Sequence, residues 1–225
     1  MNIALFGGTF DPIHAGHLVA ARAARRRFRL DKVLFIPTGN PPHKTHNHLT
    51  NYAQRYAMVS LACAGEPGFV PSTIEAPTAD GSPRYSIDTV HAIRRKLRRN
   101  DRLYFLVGVD AFLDLPLWKE FRRLLDSVEF IVVSRPGFDG SAIRKVAPPD
   151  GLAARRLSPR AGTIALRHGA IHILSGVDAP VASRDIRQAV RAHRPMTGLV
   201  PPLVEEYILK EGLYRPGGSG SLSKR

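Results

Sequence analysis

Asn2-Ile3-Ala4-Leu5-Phe6-Gly7-Gly8-Thr9-Phe10-Asp11-Pro12-Ile13-His14-Ala15-Gly16-His17 decides how this chain folds. Asn2 to Phe6 is a short apolar run of the kind that makes a buried strand. Gly7 and Gly8 let the backbone turn sharply and let a large anion come close. Past Pro12 the pattern turns helical, with Leu18, Ala21 and Phe28 set among alanines and arginines. A loop that hands a strand over to a helix N-terminus is a ready anion site, with unpaired N–H groups and the positive end of the helix dipole. His14 and His17 lie three residues apart, on one face of the first helical turn, and Gly16 between them leaves room for a bulky group. The combination points to phosphate chemistry. The same two imidazoles could begin a metal site, but only Asp11 stands beside them as a further ligand, so no metal centre is expected.

Outward from this junction, strand and helix alternate. Lys32 to Ile36 reads as a second strand, and Pro37 to His48 as a loop containing Pro41-Pro42-His43-Lys44. Thr50 to Cys63 reads as a helix with Tyr52, Tyr56, Val59 and Leu61 toward the core. Phe69-Val70 begins a strand. Ser86 is the expected N-cap of a helix running to Leu97. Leu103 to Val107 and Val128 to Val133 are continuous apolar runs, which fit strands buried on both faces. Such strands separated by helices imply an α/β fold with a doubly wound, Rossmann-like parallel sheet. By the switch-point rule its site lies at the carboxyl ends of the strands, where Gly7, Pro37, Gly108 and Ser134 fall. Residues 136 to 162 are rich in Gly, Pro, Ala and Arg and give no clear pattern. Thr163 to Leu166 and Ala170 to Leu174 fit a hairpin. Ser183 to Ala192 and Pro202 to Lys210 fit two C-terminal helices, the first capped by Ser183. Residues 1–215 read as a single domain, and 216–225 as a disordered Gly/Ser-rich tail.

Composition narrows the functional classes. The chain has 225 residues, enough for a substantial core, and one cysteine, Cys63, which allows no internal disulfide. A single thiol read as a core residue fits a reducing cytoplasm. No apolar run is long enough to span a membrane, and the N-terminus begins as a strand rather than as a cationic leader. The net charge of +14 asks for anionic partners. It is concentrated in Arg22, Arg25, Arg26, Arg27, Arg29 and Lys32, and again in Arg94, Arg95, Lys96, Arg98, Arg99 and Arg102. These arginines spread over more than one helix face and have no aromatic residues among them. They read as solvated surface and not as a specific nucleic-acid site.

Four further clusters fall at the strand ends: Pro41-Pro42-His43-Lys44, Gly108-Val109-Asp110, Ser134-Arg135-Pro136-Gly137 and Ala182-Ser183-Arg184-Asp185-Ile186-Arg187. Together with the opening stretch they resemble the HxGH nucleotidyltransferases, and within them the bacterial nicotinate mononucleotide adenylyltransferases, from Met1 to about Tyr214. The resemblance implies transfer of an adenylyl group from ATP to nicotinate mononucleotide, with Mg²⁺ carried on the ATP phosphates. It implies that Gly7, Gly8, Thr9 and Phe10 cradle the ATP phosphates. It makes His14 and His17 the donors to the reacting phosphates, with Lys44 and Arg187 as catalytic cations. Gly108, Asp110 and Arg135 fall to the adenosine side, and Ser183, Ile186 and Arg187 to a second phosphate-binding helix start. Lys44, Tyr85, Ser86 and Trp118 fall to nicotinate mononucleotide, with Trp118 stacking on the pyridine ring; a core role for this tryptophan stays open. The usual SSTxIR segment here reads Ala182 to Arg187, so one hydroxyl is lost and Arg184 stands in its place. A sister transferase using nicotinamide mononucleotide or another phosphorylated acceptor remains the alternative. The oligomeric state, monomer or homodimer, is left open.

Overall fold

The computed structural model describes residues 1–39, 49–134, 141–146, 162–177 and 180–216. Its centre is a seven-stranded sheet of β1 (Asn2–Gly8), β2 (Lys32–Pro37), β3 (Phe69–Pro71), β4 (Arg102–Gly108), β5 (Glu129–Val133), β6 (Thr163–Leu166) and β7 (Gly169–Leu174). The order is β3-β2-β1-β4-β5-β7-β6. All neighbours are parallel except β6, which closes one edge as the antiparallel partner of β7. The order reverses between β1 and β4, so the topological switch point opens beside Gly8 and Gly108.

The helices are α1 (Ala15–Phe28), α2 (Tyr52–Cys63), α3 (Ser86–Arg94), α4 (Val109–Leu113), α5 (Phe121–Ser127), α6 (Ser141–Val146), α7 (Ser183–Arg191) and α8 (Pro202–Lys210). They cover both faces of the sheet. Alternate residues of β4 show why. Tyr104 and Leu106 face a core shared with α1, α2, α7 and α8, while Leu103, Phe105 and Val107 face one shared with α3, α4, α5 and α6. A two-residue period with both faces apolar is what a central parallel strand requires.

Three local expectations need correcting. The buried side chains of α2 are Arg55, Met58, Val59, Ala62 and Cys63, whereas Tyr52 and Tyr56 stay part-exposed and stack on each other at 6.2 Å. Tyr85, not Ser86, is the N-cap of α3, and that helix ends at Arg94. Ala182, not Ser183, is the N-cap of α7. In the last case the Asp185 carboxylate accepts from the Ala182 N–H at 3.2 Å, which frees the Ser183 hydroxyl for a long-range bond. Among the described residues no helix is long and apolar enough to cross a membrane. The Gly/Ser-rich tail beyond residue 216 and most of the 136–162 segment lie outside the described residues.

Candidate active site

The β1–α1 junction is built around the Phe10 ring. Phe10 has φ 49° and is buried, packing edge-on against Phe6 at 5.7 Å and against His17 at 5.0 Å. A Cβ on Gly8 would sit 3.0 Å from that ring, so glycine is needed there for a close approach as much as for a turn. Thr38 clamps the other side: its N–H and its hydroxyl both donate to the Gly8 carbonyl, at 2.9 and 3.1 Å. The loop is thereby held open in front of the helix start.

His14 is the N-cap of α1 and His17 its third residue. Their rings lie 3.6 Å apart between centroids, tilted by 32°. The His14 N–H donates to Nδ1 of His17 at 3.2 Å. Nδ1 therefore carries a lone pair, and the His17 proton in the neutral ring sits on Nε2, which makes that nitrogen the available donor. Burial pushes the His14 imidazole down to about 4, against a smaller opposing pull from Asp185. Burial, with His14 as a second contribution, also pushes His17 well below its ordinary value. Both rings are thus neutral near pH 7 and act as neutral donors. Nδ1 of His14 is buried without a hydrogen-bond partner, the kind of orphan that a phosphate oxygen or a water satisfies.

The second helix start docks onto the first. The Ser183 hydroxyl donates to the Pro12 carbonyl at 2.9 Å, and Nη1 of Arg187 donates to the Asp11 carbonyl at 2.6 Å. These two bonds join segments more than 170 positions apart and place His14, His17, Ser183 and Arg187 around one loop. Ile186 points the other way and is fully buried in the core, anchoring α7. Arg184 is exposed, 3.9 Å from Asp185.

Behind the loop lies a buried polar clamp that the sequence reading missed. Nε of Arg55 donates to the Thr50 carbonyl at 3.0 Å and Nη1 to that of Thr9 at 2.7 Å; Nη2 reaches Thr38 at 2.8 Å and Gly39 at 3.3 Å. Beside it, the buried Asp11 carboxylate accepts from the Tyr214 hydroxyl at 2.7 Å and from the Thr50 N–H at 3.4 Å. Asp11 is thus occupied as a structural acceptor and not poised as a metal ligand. A signal for Arg55 existed: positions 55, 58, 59 and 62 follow the i, i+3, i+4, i+7 spacing of a core face, with a charge on the first.

Across the switch point, Gly108 is the exposed N-cap of α4, and Asp110 lies exposed in its first turn. The Phe105 ring links the two sides. It would meet a Cβ on Gly7 at 3.8 Å and meets Trp118 edge-on at 5.9 Å. Trp118 is half-buried against the core layer that also holds Tyr85. Lys119, a second omission from the sequence reading, places its ammonium 4.3 Å from the centre of the Tyr85 ring and 3.7 Å from Asp88. Tyr85, Ser86, Trp118 and Lys119 therefore border one region at the start of α3. Deeper in that region, Glu75 is buried, accepts from the Thr89 hydroxyl at 2.8 Å, and is pushed by burial up to about 7. Lys44 and Arg135 lie outside the described residues.

A sheet of this order, with a Gly-Gly turn feeding paired imidazoles into a helix N-terminus, defines a nucleotidyltransferase site. The chain belongs to the cytidylyltransferase-like family, whose profile matches residues 5–189. Within that family it sits with the nicotinate-nucleotide adenylyltransferases. A Moorella thermoacetica protein named "Probable nicotinate-nucleotide adenylyltransferase" is 39% identical over 223 residues, covering 99% of this chain and 96% of the relative. A Solibacter usitatus protein of the same name is 38% identical over 214 residues, covering 95% of this chain and all of the relative. In fold, the chain is similar to the Plasmodium falciparum nicotinic acid mononucleotide adenylyltransferase complexed with NaAD, with a TM-score of 0.69 at 18% identity over 95% of this chain and 97% of that one.

Proposed function

We propose that this chain transfers the adenylyl group of ATP to nicotinate mononucleotide, giving nicotinate adenine dinucleotide and pyrophosphate. The observation that carries this reading is the docking of α7 onto the β1–α1 loop. It gathers two neutral imidazole donors, one of them orphaned, and a guanidinium around a glycine turn. The names of the relatives support the choice of substrates.

The chemistry needs no covalent intermediate and no general base. An oxygen of the acceptor's 5′-phosphate, already ionised at neutral pH, attacks the α-phosphorus of ATP. The bond from that phosphorus to the oxygen bridging to the β-phosphate breaks, and its electron pair leaves with pyrophosphate. The obstacles are repulsion between two anions and the charge that grows on the leaving group. Fixed donors that position both anions and meet that charge are what the protein supplies.

In this reading Gly7, Gly8, Thr9 and Phe10 form the phosphate cradle. Nε2 of His17, together with His14, donates to the triphosphate, and Ser183 and Arg187 hold the facing side. Ile186 serves by keeping α7 in place. Gly108, Asp110 and Arg135 border the adenosine, and Lys44 closes over both substrates. The start of α3 at Tyr85 and Ser86 receives the nicotinate carboxylate, which a helix N-terminus favours over a neutral carboxamide. Lys119 adds a cation to that side, and Trp118 offers its exposed face to the pyridine ring. ATP enters as its Mg²⁺ complex, whose metal helps neutralise the leaving pyrophosphate. Among the described residues no group of three or more His, Cys, Asp or Glu could hold a metal ion. Initial rates of pyrophosphate release with ATP and a panel of phosphorylated acceptors test the reading. Nicotinate mononucleotide should give the highest kcat/KM. Equal values with nicotinamide mononucleotide would remove the acid from the assignment, leaving a sister adenylyltransferase.

A further inference from the structure

The strands of this sheet have a second end, and a cleft of about 420 Å³ lies there, far from the candidate active site. It is framed by the C-terminal end of α3, the first residues of β4 and β5, and the turn between β6 and β7. Arg102 opens β4 at this edge and Gly108 closes it at the other, a separation of about 20 Å at ~3.3 Å per residue. Four arginines, Arg94, Arg98, Arg99 and Arg102, line the cleft with His168. The arginines are four of the six residues of the second basic run in the sequence, which adenylyl transfer leaves unused.

The acidic groups in the wall balance only part of this charge. Asp101 is taken by the Met1 ammonium and by the Arg98 N–H. Glu129 is taken by His172 at 2.8 Å and by Arg102 at 3.3 Å. The charge of Arg98 acts on Asp101 without a direct pair. The guanidinium groups of Arg94 and Arg99 make no ion pair or side-chain hydrogen bond among the described residues. The cleft therefore holds more positive charge than its own carboxylates balance, in a concave setting that focuses the field. Leu97, Leu103 and Val128 give it an apolar wall. Its volume falls within the ~300–1,000 Å³ of small-molecule sites, which is more than a single phosphate fills. No aromatic platform for stacked bases lines it, which separates it from single-strand nucleic-acid grooves.

We infer that this cleft is a second anion site, which binds a small phosphorylated molecule carrying more than one phosphate group, such as a nucleoside polyphosphate or a short polyphosphate. Arg94 and Arg99 supply forked donors for the phosphates, and the leucine and valine wall accommodates an organic part where there is one. The inference does not depend on which acceptor the active site uses.

The test is a titration of the ¹⁵N-labelled full chain with tripolyphosphate, and separately with ATP, at physiological salt, followed by amide chemical shifts. Saturable shifts at Leu97, Leu103, Ser127, Val128 and Gly169, beyond those at the β1–α1 loop, are expected with both probes. Tighter binding of ATP than of tripolyphosphate would identify a nucleotide as the ligand; equal binding would identify the phosphates alone. In Arg94→Ala/Arg99→Ala the cleft shifts should weaken at least tenfold, while the loop shifts and turnover stay as in the wild type. These two side chains are exposed and unpaired, so the variant should keep its unfolding midpoint, which is checked by circular dichroism. Shifts confined to Gly8–His17, cleft shifts that fail to saturate, or cleft shifts in the double variant that saturate at the same ligand concentration as in the wild type would overturn the inference.

Discussion

Replacing Arg55 by methionine should cost this protein a large share of its stability and loosen its ATP site at the same time. The side chain is 1% exposed and spends its guanidinium on four carbonyls belonging to Thr9, Thr38, Gly39 and Thr50. Methionine fills a similar volume but leaves those carbonyls, and the adjacent buried Asp11 carboxylate, without their cation. Single charge-assisted bonds contribute roughly 1.5–3 kcal/mol each and do not add. Removal of one member from a buried charged cluster costs ~3–5 kcal/mol, against a total of about 5–15 kcal/mol for a domain. Urea unfolding should therefore show Arg55→Met destabilised by roughly 3–5 kcal/mol at an unchanged m-value. Arg55→Lys should recover part of that loss, since a compact ammonium cannot reach carbonyls on both loops as a planar fork does. Because Thr9 and Thr38 carry the phosphate loop, KM for ATP should rise in the methionine variant beyond any change in folded fraction. A loss below about 1 kcal/mol, the scale of one ordinary hydrogen bond, with an unaltered KM would refute the idea that Arg55 organises the site.

Two buried titrations should oppose each other in the pH profile of stability. His14 is lowered from 6.5 to about 4, so the stability its neutral form contributes is present above pH 6.5 and lost as pH falls toward 4. Glu75 is raised from 4.5 to about 7, so ionising it costs stability that is intact below pH 4.5 and lost as pH rises toward 7. At about 1.4 kcal/mol per pKa unit, each amounts to roughly 3 kcal/mol of opposite sign. Urea midpoints should show Glu75→Gln falling more steeply than the wild type on acidification from pH 7 to 5, and His14→Gln falling less steeply, since His17 is still lowered there; parallel profiles in all three proteins would contradict both assignments. The fluorescence of Trp118, the only tryptophan in the chain, should be quenched by saturating nicotinate mononucleotide. An unchanged spectrum, with Trp118→Ala still binding normally, would make this residue part of the core alone.

What could be read in the sequence was local or periodic. The β1–α1 junction was legible because a strand, two glycines and two histidines fall within seventeen consecutive positions. The central strands were legible because both of their faces are apolar, and the 163–174 hairpin because two short apolar runs flank a turn. The cap of α7 was misjudged for a tertiary reason. Serine is a good cap by residue type, yet Ser183 is drawn to a carbonyl 171 positions away, and the Ala182 N–H is served by Asp185 instead. Arg55 was hidden by the same kind of distant demand. Its partners at Thr9 and Thr38 are neighbours only once β1 and β2 have paired, and their carbonyls turn a charged residue toward the core where two tyrosines were expected. Tyr214 and Glu75 likewise acquire their roles only from tertiary contacts.

The central claim is that paired neutral imidazoles at the start of α1 stabilise the charge that develops during adenylyl transfer. Its most direct measurement is kcat for nicotinate adenine dinucleotide formation by His17→Ala, made beside a circular-dichroism check that the variant is folded. Removing one preorganised donor costs ~2.7–4 kcal/mol of transition-state stabilisation, so kcat should fall by roughly a hundredfold to a thousandfold. A folded His17→Ala protein that turns over at close to the wild-type kcat would contradict it.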